Sequence, residues 1–407
     1  MNETRRFYRA PVVLPVAGPP LRDGAVLTEN GRVRAVGPYQ EIKKLTAGLT
    51  LTSEVDYDGH VLVPALVNAH CHLELSHLAF LSRDYRPQPG DITGWIRRLL
   101  AAREECDPGG PETGLLALAR LYAGGCRSVI DIGNDPASRN LGADFKTAVF
   151  FNLELLGLAG AAEEQALARL TAQDDDLCCT GHAPYSTGPR LLQALKKRAR
   201  AGNCLFPLHV AESAAEEEFL ATGSGPLRDF LAERGLDLAA FPPPGCSPVA
   251  WLDSLGLLDE QTLCVHAVRV DEDDVARLAA RRAGVCLCPG SNRHLGVGKA
   301  PLATMLRHGI TPALGTDSLA GNPDFSLWQE MKLLREDHPE VPPATVLAMA
   351  SQAGARLLGR EGESGVIAPG VEAALPAVVC PAAAGGVDAA LEYLTTAGKD
   401  IRLEWTE

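Results

Sequence analysis

Between residues 61 and 318, short apolar runs of strand length alternate with segments whose apolar positions recur at helical spacing. The strand-like runs are "VLVPALVNAH", "RSVIDIG", "TAVFFNLELLG", "LCCTGHAP", "LFPLHVAES", "TLCVHAV", "VCLCPGSN" and "TPALGTDS", eight in all. Helical patterns such as "ETGLLALARLYAGG", "PRLLQALKKRARAG", "EDDVARLAARRAG" and "APLATMLRHG" separate most of them, and each of these ends in Gly, the usual C-terminal stop of a helix. Continuous apolar strands followed by helices read as parallel strands covered on their outer face. Eight such units predict an α/β fold, a closed (β/α)8 TIM-like barrel over residues 63–362. The link "NDPASRNLGADFK" shows no clear helix.

The ends of the chain have a different texture. Residues 1–62 hold short β-like pieces divided by turn residues, and "ENGR" predicts a hairpin because Asn-Gly tolerates the positive φ of a tight turn. Residues 363–407 resemble them, so the two ends are expected to pair into one small β-sandwich domain.

Composition narrows the function classes. With 46% apolar and 22% charged residues, the chain can bury a large core. A net charge of −13 argues against nucleic acid or an anionic membrane surface as partner. No apolar run approaches the roughly 20 residues of a membrane span, and no signal peptide is expected. The eleven cysteines include no C-x-x-C pair. Several sit in apolar strands, a usage that suits free thiols and a cytoplasmic location better than a disulfide scaffold.

In a barrel of this kind, reactive residues gather at the C-terminal ends of the strands. "NAHCHLELSH" places His70 and His72 there after the first run; His209 ends the fifth, His266 the sixth and Asp317 the eighth. Three imidazoles and a carboxylate suit Zn2+ or another divalent transition ion, with water completing its shell. Taken singly, His266 could be a structural hydrogen-bonding residue and Asp317 a loop cap; their joint placement favours a metal site. Glu212, three residues after His209, is positioned to pass a proton from an activated water, or it is merely an acid at a helix start. Cys71, between the two histidines, should point to the other side of its strand.

H-x-H after the first strand, H-x-x-E after the fifth, His after the sixth and "GTDS" after the eighth resemble the amidohydrolase superfamily over nearly the whole chain. The fourth strand carries "TGHAPYS" with no lysine, which places the resemblance in the mononuclear branch of aminohydrolases. The resemblance implies one divalent metal, zinc or iron, held by His70, His72, His209 and Asp317. It further implies that Asp317 takes a proton from water, Glu212 protonates a ring nitrogen and His266 stabilises the attacking water, with ammonia released. A homodimer is common in such relatives. One departure is "GVIAPGVEAALPAVV", which lacks the aspartate usual in the closing motif.

"HCHLEL" with the following "DITGWI" looks most like deaminases acting on 6-amino-6-deoxyfutalosine in menaquinone biosynthesis. For such a ligand, Glu74, His182, Tyr185 and Ser186 are candidates for ribose or base, and Asn292 and Arg293 for an anion. Trp95 is a candidate apolar wall; core packing for Trp95 and a solvated loop charge for Arg293 are the plainer alternatives. The same chemistry on S-adenosylhomocysteine, methylthioadenosine, adenosine, guanine or a triazine is the rival reading. A non-catalytic barrel relative would be expected to have lost Glu212, His266 or Asp317, and all are present.

Overall fold

The computed structural model describes residues 3–107, 111–143 and 145–406. The chain separates into two compact units, one made of Met1–Asn68, Ala119–Val129 and Ser326–Glu407, the other of Ala69–Leu118 and Ile130–Phe325.

In the first unit, strands from both chain ends form one seven-stranded sheet. The order is Leu403–Trp405, Pro376–Val379, His60–Leu62, Arg5–Val13, Leu21–Glu29 and Arg32–Pro38, with Ser53–Asp56 also paired to Arg5–Val13. The "ENGR" turn is as expected: Asn30 and Gly31 take φ of +52° and +76°, and Glu29 pairs with Arg32. Side chains alternate across this sheet. Tyr8, Ala10 and Val26 belong to one apolar cluster, while Phe7, Ala25 and Leu27 join Ile42 of helix Tyr39–Leu45 in another.

The eight expected strands are all present. Leu66–Cys71, Cys126–Gly133, Ala148–Leu155 and Cys179–Gly181 form one four-stranded sheet in that order; Phe206–Val210, Thr262–His266, Gly284–Leu287 and Ala313–Leu314 form a second. Neighbouring strands in the second sheet pair in parallel. The first run proves to be two strands: His60–Leu62 lies in the seven-stranded sheet, and Leu66–Cys71 begins after Pro64. At the strand ends, His209 N donates to His182 O at 2.9 Å, and Thr316 and Asp317 N both donate to His70 O at 3.0 Å. The link after Gly133 carries only the short 3-10 turn Pro136–Asn140, consistent with the missing helix; Asp144 of that link lies outside the described residues.

Two expectations are corrected. Helix Glu272–Arg281 stops at Arg282, which takes the left-handed conformation (φ +56°), while Gly284 opens the next strand. The last buried helix position is Leu278, so the chain leaves the helix before it reaches the glycine. Second, Cys178 and Cys204 form a disulfide with Cα atoms 5.8 Å apart. They precede strands Cys179–Gly181 and Phe206–Val210, so the fold joins residues that are 26 apart in sequence. The other nine cysteines lie outside any disulfide.

Lys196 on helix Pro189–Ala201 is buried, and its Nζ donates to Asp259 Oδ1 at 2.5 Å and Thr262 Oγ1 at 2.7 Å, tying the helix to the start of strand Thr262–His266. Stripping one partner from a buried ion pair costs about 3 kcal/mol or more. Arg200 also reaches Asp259, at 2.8 Å, which places Lys196→Met at the lower end of that range. Denaturant unfolding of Lys196→Met should show a loss of about 3 kcal/mol; an unchanged midpoint would contradict the anchoring role.

Candidate active site

Strand alternation sets the first pair. His70 lies in strand Leu66–Cys71 and His72 just after it, both buried. Cys71 between them turns away, its Sγ 3.6 Å from Ile130 O and 3.8 Å from Asp131 Oδ1. His209 on Phe206–Val210 completes a group whose ring nitrogens lie within 4.8 Å of one another. Asp317 Oδ1 stands 3.7 Å from His70 Nε2 and 3.5 Å from His72 Nε2.

The hydrogen bonds behind these rings decide where their lone pairs point. His72 Nδ1 is 3.0 Å from Ile132 O, and His209 Nδ1 is 3.0 Å from His182 O. A carbonyl oxygen only accepts, so both Nδ1 atoms carry the proton and both Nε2 atoms present a lone pair. Those Nε2 atoms face each other at 3.3 Å. Two acceptors at that distance do not bond each other; a cation between them resolves the conflict. Burial pushes His70 down to about 4 and His209 well below its ordinary value, which keeps both imidazoles neutral and able to ligate. Burial would raise the Asp317 carboxyl, but the imidazoles of His70, His72 and His266 outweigh it and hold the group well below the usual carboxylate range. Ser291 Oγ also donates to Asp317 Oδ2 at 2.5 Å, and Ser318 N to Oδ1 at 2.7 Å. The donor set therefore fits a divalent transition ion.

Glu212 and His266 stand beside this group. Glu212 precedes the helix cap Ser213 and is buried, with Oε1 3.7 Å from His266 Nε2. Burial raises its carboxyl above the ordinary value, a shift towards the protonated form. His266 Nδ1 is 2.9 Å from Asn292 Oδ1, which fixes the ring. Ala211, His266, Ala267 and Asp317 all take φ between +44° and +74°, strain that gathers at three strand ends around the site.

Several supporting residues were not singled out from the sequence. Glu216 is buried and accepts from Ala211 N at 3.0 Å and Glu212 N at 2.9 Å, holding the strained turn that carries Glu212. Burial pushes its carboxyl up to about 8. "SAAE" at 213–216 is a capping-box pattern and was the available signal. Asp131 accepts from Leu73 N at 2.8 Å and so steadies the segment after His72. It sits in an apolar strand, and burial likewise raises it to about 8. Gly315 has room for no side chain: a Cβ there would lie 2.8 Å from His70 Cβ and from Cys286 Sγ.

His72, His209, Glu212, His266 and Asp317 line a cavity of about 400 Å3, as do Glu74, Trp95, His182, Tyr185 and Ser186. Trp95 is buried on helix Ile92–Glu105 and edges onto His294, with ring centroids 5.9 Å apart. His182 Nδ1 lies 2.7 Å from Ser186 Oγ. Two expected residues fall elsewhere. Asn292 is buried behind His266, and Arg293 is exposed on helix Pro289–Leu295; neither lines the cavity. Arg234, which carried no sequence signal, does line it.

The Amidohydrolase family model matches residues 61–399. The chain belongs to the amidohydrolase family. Among curated relatives, the aminodeoxyfutalosine deaminase of Deinococcus radiodurans is 27% identical over 354 residues, covering 83% of this chain and 81% of that protein. The 5-methylthioadenosine/S-adenosylhomocysteine deaminase of Syntrophobacter fumaroxidans is 30% identical over 376 residues, covering 85% and 78%. An adenosine deaminase structure from Xanthomonas campestris with bound zinc superimposes with a TM-score of 0.76 at 25% identity, covering 96% of this chain and 89% of that one. This amidohydrolase is thus a hydrolytic enzyme, and its structural likeness implies a TIM-like barrel. Among the described residues, no helix is long and apolar enough to cross a membrane.

Gly315→Ala should drive His70 out of place and weaken zinc binding about tenfold or more while the chain still folds. Metal analysis after dialysis reads this; a variant that keeps the wild-type metal content would show that the close approach is not needed.

Proposed function

We propose that this amidohydrolase is a metal-dependent deaminase of a 6-aminopurine nucleoside. The observation that carries the reading is the convergence of Glu212, His266 and Asp317 on the His70, His72 and His209 group beside the cavity. His70, His72, His209 and Asp317 would hold one divalent ion, with zinc preferred over iron, and the ion when bound would acidify a water molecule.

The chain's own residues supply the rest. Asp317, kept ionised among the imidazoles, takes a proton from the attacking water. His266, its ring fixed by Asn292, stabilises the water's oxygen as it approaches the ring carbon. Glu212, its carboxyl raised by burial, gives a proton to the ring nitrogen next to that carbon. A C–O bond forms, Asp317 passes its proton to the amino group, the C–N bond breaks and ammonia leaves, while the hydroxyl proton of the adduct passes to Glu212 as the carbonyl forms. Tyr185 and the apolar walls keep bulk water from competing.

For the substrate our first choice is 6-amino-6-deoxyfutalosine, which would place the enzyme in menaquinone biosynthesis. Its adenine nucleoside carries an aryl acid. The cavity is also walled by Ile96, Leu99, Leu100, Phe230 and Leu231, with the exposed Arg234 on its lining. That pairing of apolar wall and guanidinium suits an aromatic group ending in a carboxylate. It takes the place first assigned to Arg293. Glu74, His182 and Ser186 face the sugar or base in this reading, and Trp95 supplies a flat wall. S-adenosylhomocysteine, methylthioadenosine, adenosine, guanine and triazines are the alternatives.

The same reading takes the two four-stranded sheets as one closed barrel over residues 63–362, supported by the backbone links at His182–His209 and His70–Asp317. Residues 1–62 and 363–407 then form the small β-sandwich domain, supported by apolar clusters drawing on alternate residues of the shared sheet. A homodimer and a cytoplasmic location complete it.

Ammonia release from zinc-loaded protein should be measured with aminodeoxyfutalosine, S-adenosylhomocysteine, adenosine and guanine side by side. The expected result is turnover of the first well above the others. Glu212→Gln should keep its metal and lose about 100-fold or more in kcat. Full activity in Glu212→Gln would remove the proton donor, and exclusive turnover of guanine would remove the nucleoside.

A further inference from the structure

Glu154 has no part in the mechanism above, yet its side chain is buried on the lining of the same cavity. It stands at the end of strand Ala148–Leu155, is only 6% exposed, and lines the cavity beside Glu74, Asn134 and His182. Its Oε2 accepts from Asn134 Nδ2 at 3.0 Å. Its Oε1 is buried and has no hydrogen-bond partner. A carboxylate oxygen removed from water and left unpaired is costly, and a donor from a ligand removes that cost.

Asn134 ties this carboxylate to a second one. Its backbone N–H donates to Glu74 Oε2 at 2.7 Å, so a single residue sets the spacing of Glu74 and Glu154. Arg103 lies 3.7 Å from Glu74 Oε1 and offsets part of the charge. The result is two fixed carboxylates on one lining, of which Glu154 still has an oxygen without a donor. Neighbouring hydroxyl groups are the ligand chemistry that satisfies two such acceptors at once.

We propose that Glu154, tied through Asn134 to Glu74, forms a subsite for a vicinal diol, and that this subsite selects a ribonucleoside over a free base, a triazine or a deoxynucleoside. The proposal deepens the nucleoside reading and rests on it. A competing use of Glu154 is a second cation, since its carboxylate, His182 and His209 also have ligand atoms within 4.8 Å of one another. The hydrogen bonds disfavour that use. His209 Nδ1 is committed to His182 O, and its Nε2 faces His72 Nε2, which leaves His209 no lone pair for a second ion. His182 Nδ1 is likewise engaged with Ser186 Oγ.

The test compares wild type, Glu154→Gln and Glu154→Ala, all zinc-loaded and checked for folding by circular dichroism. Turnover is measured with adenosine and 2′,3′-dideoxyadenosine, and binding by calorimetry with inosine and 2′,3′-dideoxyinosine. Wild type should favour the diol compound about 10–100-fold in both readouts, the factor expected of a hydrogen bond to a charged group. Glu154→Ala should lose most of that preference through KM, and Glu154→Gln, whose amide oxygen still accepts, should keep an intermediate share. Metal content should be the same in all three. An unchanged preference in Glu154→Ala overturns the subsite, as does a wild type that binds neither nucleoside. A fall in bound metal in Glu154→Ala overturns it in favour of a second cation. If no nucleoside is turned over but inosine binding still depends on the diol and on Glu154, the subsite stands and the deaminase reading fails. Equal turnover of both adenosine compounds has the reverse meaning.

Discussion

Two imidazole nitrogens, His72 Nε2 and His209 Nε2, are held face to face at 3.3 Å with no proton to share. The carbonyls of Ile132 and His182 take the Nδ1 protons of these rings, so the lone pairs have only each other and whatever lies between them. Such an arrangement is unfavourable without a cation and strongly favourable with one. Much of the surrounding structure serves to maintain it. Asp131 steadies the segment after His72, the absent side chain of Gly315 lets Asp317's loop close on His70, and burial keeps His70 and His209 neutral.

The same economy of position explains the strained backbone. Ala211, His266, Ala267 and Asp317 adopt a conformation that costs non-glycine residues about 1–3 kcal/mol each. Each lies where a strand turns its last side chain towards the cavity. At one of these turns the cost is offset by a buried carboxylate, Glu216, which satisfies both the Ala211 and Glu212 N–H groups. Glu212 is therefore aimed by another acid four residues on, and burial raises the carboxyl of each.

The strand positions and the candidate residues at their ends were legible because both rest on local patterns. Eight apolar runs and the spacing of His70, His72, His209, Glu212, His266 and Asp317 can be read without a neighbour in space. What could not be read depends on contacts across strands. Glu154 and Glu74 are eighty positions apart and become one wall only through Asn134. Arg293 looked suited to an anion from its sequence neighbours, but the helix Pro289–Leu295 directs Asn292 inward and leaves Arg293 exposed, while Arg234 reaches the cavity from a distant segment. The Cys178–Cys204 bridge was hidden for the same reason, since nothing local pairs residues that meet only at the starts of two strands.

The central claim is that His70, His72, His209 and Asp317 form a single metal centre. The most direct measurement is a crystal structure of the zinc-loaded protein with anomalous data collected on both sides of the zinc edge. One anomalous peak within about 2.0–2.2 Å of the three imidazole nitrogens and an Asp317 oxygen is the predicted result. A protein that carries stoichiometric zinc but shows its peak elsewhere would contradict the account.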